Sequence, residues 1–161
     1  MHSINFHPRQ KIDGEVRYME SCAYFCALGT PFERELPREV AVFRDVSKLT
    51  ARRWRLCALN GEGARRLNGQ LLRCDTLLLP EGVCPEAVRA RQVVSYGLGA
   101  RNTLTLSSMD TRLLLSVQRQ FENMRGGEVE VQELTLPESW RRWETPQILL
   151  LAGVRLLLGG L

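Results

Sequence analysis

Long apolar runs, lysine, histidine and aromatic residues are all scarce in this chain of 161 residues, and each scarcity closes off a class of function. The most apolar run, 148–161, is interrupted by Arg155 and falls short of the roughly 20 residues that a bilayer span requires. The opening segment, MHSINFHPRQKIDGE, has no apolar core of the kind a secretory signal carries, so a cytoplasmic chain is expected, with no membrane partner. Both histidines, His2 and His7, lie in the first seven residues, away from Ser95, Ser107 and Ser108, so no nucleophile–base pair is legible. Lysine occurs only as Lys11 and Lys48, followed by Ile12 and Leu49, and a G-K-[ST] phosphate loop is therefore missing. Glycine (13) and proline (7) are too few and too aperiodic for a collagen-like or low-complexity chain. No complete catalytic motif appears, and no catalytic residue, metal ligand or cofactor is assigned. The chain reads as a binding or interaction protein rather than an enzyme.

What is present is an ordinary globular composition, 44% hydrophobic and 25% charged. A chain of this length buries roughly two-thirds of its unfolded surface, enough for one independent core. The 22 basic and 18 acidic residues leave a formal charge of +4, which permits attraction to nucleic acid without demanding it. The basic residues are nearly all arginine, as a biased coding composition would also produce. Cys22, Cys26, Cys57, Cys74 and Cys84 make an odd count without a secretory signal, which points to free thiols in a reducing compartment. The start at Met1 and the glycine stop near Gly159 lead us to expect a self-contained chain.

A single α/β domain over 1–161 is expected. Residues 1–14 read as irregular. Apolar spacing within VRYMESCAYFCAL predicts a helix over 15–29, stopped by Gly29. From 40 to 98 strands and helices alternate: VAVFRDV, then WRLCALN, the helical ARRLNGQLLR, CDTLLLP, a short helix PEAVRAR, and QVVSYGL. Such alternation with short connections is the mark of a parallel sheet with crossover helices. Over 102–137 the period becomes two, in NTLTLSSM, RLLLSVQRQF and EVEVQELTLP, and three antiparallel strands are expected. Residues 138–160 read as an apolar C-terminal helix, with Thr145 as N-cap before Pro146. The expected fold class is thus a small, mainly parallel sheet with flanking helices, an antiparallel three-stranded extension and an apolar closing helix.

Few residues suggest chemistry. Asn60, Gly61 and Gly63 follow a strand and open a helix, with Arg65 close behind, a pattern suited to holding a phosphate or nucleotide. Gly97-Leu98-Gly99-Ala100-Arg101-Asn102 begins like a dinucleotide fingerprint but lacks the third glycine, and reads as a tight turn. Cys22 and Cys26, four apart, read as core thiols. Glu128, Glu130 and Glu133 read as a solvated strand face. Trp140 and Trp143, flanking Arg141 and Arg142, suit a protein interface; the arginines scattered elsewhere match no nucleic-acid-binding motif.

CDTLLLPEGV, VVSYGL, the three alternating segments and TPQILLLAGVRLLLGG together resemble the last part of the central domain of Mur ligases, the ATP-dependent amide-bond ligases of peptidoglycan synthesis. The resemblance covers 74–161 and implies an α/β fold closed by that helix. It carries none of the family's chemistry: the phosphate loop is missing, and nothing matches the family's catalytic glutamate, metal-binding histidine or carbamylated lysine. The family's "NADDP"-like nucleotide turn would fall at Pro80-Glu81-Gly82-Val83 without its asparagine and acids, or one strand earlier at Asn60-Gly61-Glu62. The expectation is a non-catalytic Mur-ligase-like protein that acts by scaffolding, with an unidentified protein partner or a second copy of itself. A nucleotide or phosphate binder using Asn60, Gly61, Gly63 and Arg65 is the alternative, and weak nucleic-acid binding the third.

Overall fold

The computed structural model describes residues 9–12, 15–18, 21–26, 31–83 and 85–161. In chain order its strands are β1 (Arg9–Ile12), β2 (Glu15–Tyr18), β3 (Cys22–Phe25), β4 (Val40–Phe43), β5 (Trp54–Leu59), β6 (Leu72–Pro80), β7 (Val88–Tyr96), β8 (Leu104–Ser108), β9 (Leu114–Val117), β10 (Phe121–Glu122), β11 (Glu128–Val129) and β12 (Gln132–Thr135). The helices are α1 (Val46–Thr50), α2 (Gly61–Arg66) and α3 (Thr145–Leu158), with 3-10 turns at Pro31–Glu35 and Glu138–Arg142.

One mostly parallel sheet of eight strands, in the order β12-β9-β8-β7-β6-β5-β3-β4, dominates the fold, and it is larger than the small sheet expected. β3 to β7 run parallel to their neighbours; β7 meets β8 in parallel only at Tyr96 and Leu104, and β9 is antiparallel to both β8 and β12. Two antiparallel pairs, β1–β2 and β10–β11, stand outside the large sheet.

Burial follows the sheet's two faces. On one side α3 lies over β6, β7 and β8 and buries Ile148, Leu149, Leu151, Ala152 and Leu157 against Leu78, Val94, Tyr96 and Leu104. The helix comes so close that a Cβ on Gly153 would lie 2.9 Å from a Leu78 methyl and 3.0 Å from a Leu104 methyl. On the other side α1 and α2 cover a second cluster that contains Phe25, Leu49, Trp54, Cys57, Leu59, Ala64, Leu67 and Leu77. The Trp54 indole N–H donates to the Leu49 carbonyl at 2.7 Å, tying α1 to the start of β5.

Several expectations are corrected. Residues 15–18 and 22–25 are strands, not a helix; the remainder of the expected helix lies outside the described residues except Ser21 and Cys26. All four side chains of β3 are buried, and a central strand covered on both faces carries the same unbroken apolar run as a buried helix. Residues 9–12 form a strand rather than irregular chain. PEAVRAR does not form a helix; from Val88 its alternation belongs to β7, and residues 81–87 connect β6 to β7. The expected helix over 138–160 is broken at Trp143, which is extended, and α3 starts with Glu144 rather than Thr145 as its N-cap. Pro146 explains the break, because its ring would clash with a helical carbonyl four residues earlier. Gln147 closes the cap instead, accepting from the Glu144 N–H at 3.0 Å.

Candidate functional site

β3 pairs with β4 on one edge and β5 on the other, all parallel, so the chain leaves β3 first in one direction and then in the other. Such a switch point opens a crevice at the carboxyl ends of the strands, where ligands of doubly wound sheets sit. A cleft of about 330 Å³ lies there, lined by Tyr24, Phe32, Asn60, Gly61, Glu62, Arg65, Pro80, Tyr96, Pro146, Gln147 and Leu150.

Its floor is built by the residues at the strand ends. Asn60 caps α2, its Oδ1 accepting from the Gly63 N–H at 2.7 Å, while its Nδ2 donates to Cys26 Sγ at 3.0 Å. One side chain thereby locks the end of β5 to the end of β3. Gly63 is required by proximity: a Cβ there would fall well inside contact distance of the Phe25 carbonyl oxygen, which is backbone and has nowhere to move. Gly61 has no such constraint, since a Cβ there would meet only the Arg65 guanidinium at ordinary contact distance. Tyr96 donates from its hydroxyl to the Leu59 carbonyl at 2.8 Å, joining β7 to β5 across the end of β6.

The cleft's electrostatics are simple. Burial pushes the hydroxyls of Tyr24 and Tyr96 above their ordinary value of 10, and the Cys26 thiol adds to both shifts, so both stay protonated. The ionised lining groups are Glu62 and Arg65, paired with each other at the mouth, where their side chains are 50% and 61% exposed. An exposed pair of this kind contributes about 0–1 kcal/mol, so Arg65 can exchange Glu62 for another anion at little cost. Phe32, Pro80, Pro146 and Leu150 supply apolar walls. The arrangement suits a compact, partly apolar molecule that presents an anionic group to Arg65.

Of the sequence-predicted residues, Asn60, Gly61 and Arg65 line this cleft, while Gly63 supports it from behind by its approach to Phe25. The Gly63 N–H is already taken by Asn60, so selectivity for an anion rests on Arg65 rather than on the start of α2. Tyr24, Phe32, Pro80, Tyr96 and the α3 residues carry no signal in the sequence, because they come from separate elements and share no local motif.

The predicted interface residues, Trp140 and Trp143, both make contacts within the fold. Trp140 is buried at 5% exposure, and Trp143 packs edge-on to Phe32 with ring centroids 5.6 Å apart. Arg155 lies over the Trp140 ring, Arg142 pairs with Glu35 at 3.0 Å, and Arg141 pairs with Glu138 at 2.7 Å. Trp140 ties the 3-10 turn at 138–142 to the core, and Trp143 is half-buried against it.

The turn after β7 is held from β6. Glu81 accepts from the Gly99 N–H at 2.8 Å and from the Asn102 side chain, and these two bonds hold its carboxyl below the usual 4.5. Asn102 also donates to the Gly99 carbonyl at 3.0 Å. Cys22, Cys57 and Cys74 are buried, which raises their thiols; Cys74 is pushed up to about 12. Among the described residues no group of histidine, cysteine or carboxylate side chains converges as a metal site, and no helix is long and apolar enough to cross a membrane. Comparison of the chain with protein-family models, with curated proteins and with solved structures gave no match.

Proposed function

We propose that this chain is a small-ligand-binding protein whose cleft between β3, β5 and α3 takes a nucleotide-like or phosphate-bearing ligand. The carrying observation is the meeting of Asn60, Gly61 and Arg65 with two neutral tyrosine hydroxyls and apolar walls at the switch point of the sheet. At about 330 Å³ the cleft falls at the lower end of the size range of small-molecule sites. The ligand's anionic group replaces Glu62 on Arg65, and its body lies against Phe32, Tyr24 and Pro146.

The wider frame is a non-catalytic Mur-ligase-like protein. The antiparallel pairings of β8, β9 and β12 and the apolar residues of α3 support that frame, and the missing G-K-[ST] loop is why the reading is binding rather than ligation. A scaffolding role is the second form of the proposal, with a protein partner or a second copy.

A thermal-denaturation series with ADP, a UDP-sugar and inorganic phosphate tests the binding reading. Ligand at 100 times Kd adds about 2.7 kcal/mol of stability by mass action. We expect a midpoint that climbs with the concentration of at least one of these ligands, and a climb reduced tenfold or more in apparent affinity by Arg65→Ala. No climb with any of them would overturn the ligand reading and leave scaffolding.

A further inference from the structure

A second surface, at the opposite end of the strands, carries a concentration of charge that the cleft does not use. Trp54, Cys74 and Ala90 stand in one row across β5, β6 and β7, and all three turn into or against the core cluster under α1 and α2. The residues just before them are Arg53, Arg73 and Arg89; those just after are Arg55, Asp75 and Arg91. Arg53, Arg73 and Arg89, just before the row, project to the opposite face; past the row the alternation breaks, since Trp54 packs under α1 and α2 while Leu56 packs on the α3 side, and contacts place the residues there. Two contacts place that face on the side of the 121–129 hairpin: Arg55 donates to the Met124 carbonyl at 2.6 Å and Arg91 pairs with Glu122 at 3.0 Å. Five arginines and one aspartate therefore share a two-by-three grid, about 10 Å across the strands and about 7 Å along them. With Glu122, which pairs with Arg91 on this face, five arginines meet two acids and the surface keeps an excess of three positive charges.

Two features make this more than a solvated face. Arg73 and Arg89 are direct neighbours in register on adjacent strands, an arrangement of like charges that costs stability. No acid pairs with either among the described residues, and both are exposed. Arg53 and Arg91 have partners in Asp75 and Glu122, yet their side chains remain 66% and 62% exposed, so they can turn outward as well.

We infer that this grid docks double-stranded nucleic acid through its phosphate backbone, without reading sequence. Arginine forks grip phosphate oxygens in pairs, and a duplex offers the densest regular array of them. The grid holds no aromatic side chain on which an unpaired base could stack, so a single strand gains nothing there beyond its phosphates. It also holds no apolar side chain to enter a bilayer.

The test is fluorescence anisotropy of the full chain with a labelled 20-base-pair DNA duplex of arbitrary sequence, between 50 and 200 mM salt, roughly the range over which backbone contacts lose affinity. Contact with three or four phosphates predicts a log–log salt slope of about −3, insensitivity to sequence, and weaker binding of the matching single strand. Arg73→Glu with Arg89→Glu is expected to weaken binding at least tenfold and to flatten the slope by about 2, since each lost phosphate contact removes about 1. The charge-matched pair Arg101→Glu with Arg112→Glu, exposed beyond the far end of β7, is expected to change it less than threefold. Arg73→Ala is expected to keep or raise the thermal midpoint, which separates lost binding from lost folding. No duplex binding at 50 mM salt, an equal loss in the control pair, or equal or tighter binding of polyglutamate or anionic vesicles would overturn the assignment.

Discussion

At the scale of single residues, the cleft depends on contacts that leave no room for substitution. Gly63 is the clearest case, because the obstacle to a side chain is the backbone oxygen of Phe25 and not a flexible neighbour. Gly63→Ala is expected to destabilise the chain by about 1–3 kcal/mol, the usual cost of forcing extra atoms into a packed site, as read by urea denaturation. Gly61→Ala, two positions away and unobstructed, is the control and is expected to stay within about 1 kcal/mol. Glu81 yields a pH prediction. Its carboxyl titrates lower in the folded chain than in the unfolded chain, so the unfolded chain binds the proton more readily. The stability it contributes is present above its ordinary value of 4.5 and is lost as pH falls through its lowered folded value. Glu81→Gln is expected to flatten that acid limb; an unchanged limb would show that other carboxylates produce it. Residues of this kind were partly legible in the sequence. Asn-Gly-Glu-Gly after a strand drew attention to Asn60 and Arg65, whereas Tyr24 and Tyr96 look like any apolar strand residue until the ends of β3 and β7 are brought together.

At the scale of elements, the parallel β5, β6 and β7 were readable because short apolar runs bounded by turn residues have few other interpretations. β3 was not, since a strand buried on both faces loses the alternation that distinguishes it from a helix. The amino half of β7 was hidden by Pro85, which favours a helix start locally but here precedes an extended segment. Tertiary pairing with β6, eight registered positions long, decides the matter. α3 was legible as a helix, and its closest contact rests on Gly153 above Leu78 and Leu104. Replacing that glycine improves intrinsic helix propensity by at most about 1 kcal/mol, while a branched side chain forces the helix off the sheet. Gly153→Val is therefore expected to destabilise by about 1–3 kcal/mol in denaturant titration; a more stable variant would mean that α3 packs more loosely than its contacts imply.

At the scale of the whole molecule, the two ends of the strands carry different surfaces. The carboxyl ends of β3, β5 and β6 frame a small cleft with one exchangeable cation, and the amino ends of β5, β6 and β7 present the arginine grid. Composition foretold neither surface, because a net charge of +4 says nothing about where arginines gather. Ligand binding in the cleft is the central proposal. Its most direct test is an amide NMR titration of the full chain with ADP. We expect concentration-dependent shifts confined to Tyr24, Asn60, Gly61, Glu62, Tyr96 and Gln147, weakened by Arg65→Ala. Shifts that avoid these residues, or their absence with ADP and then with inorganic phosphate, would contradict the claim that this cleft is the binding site.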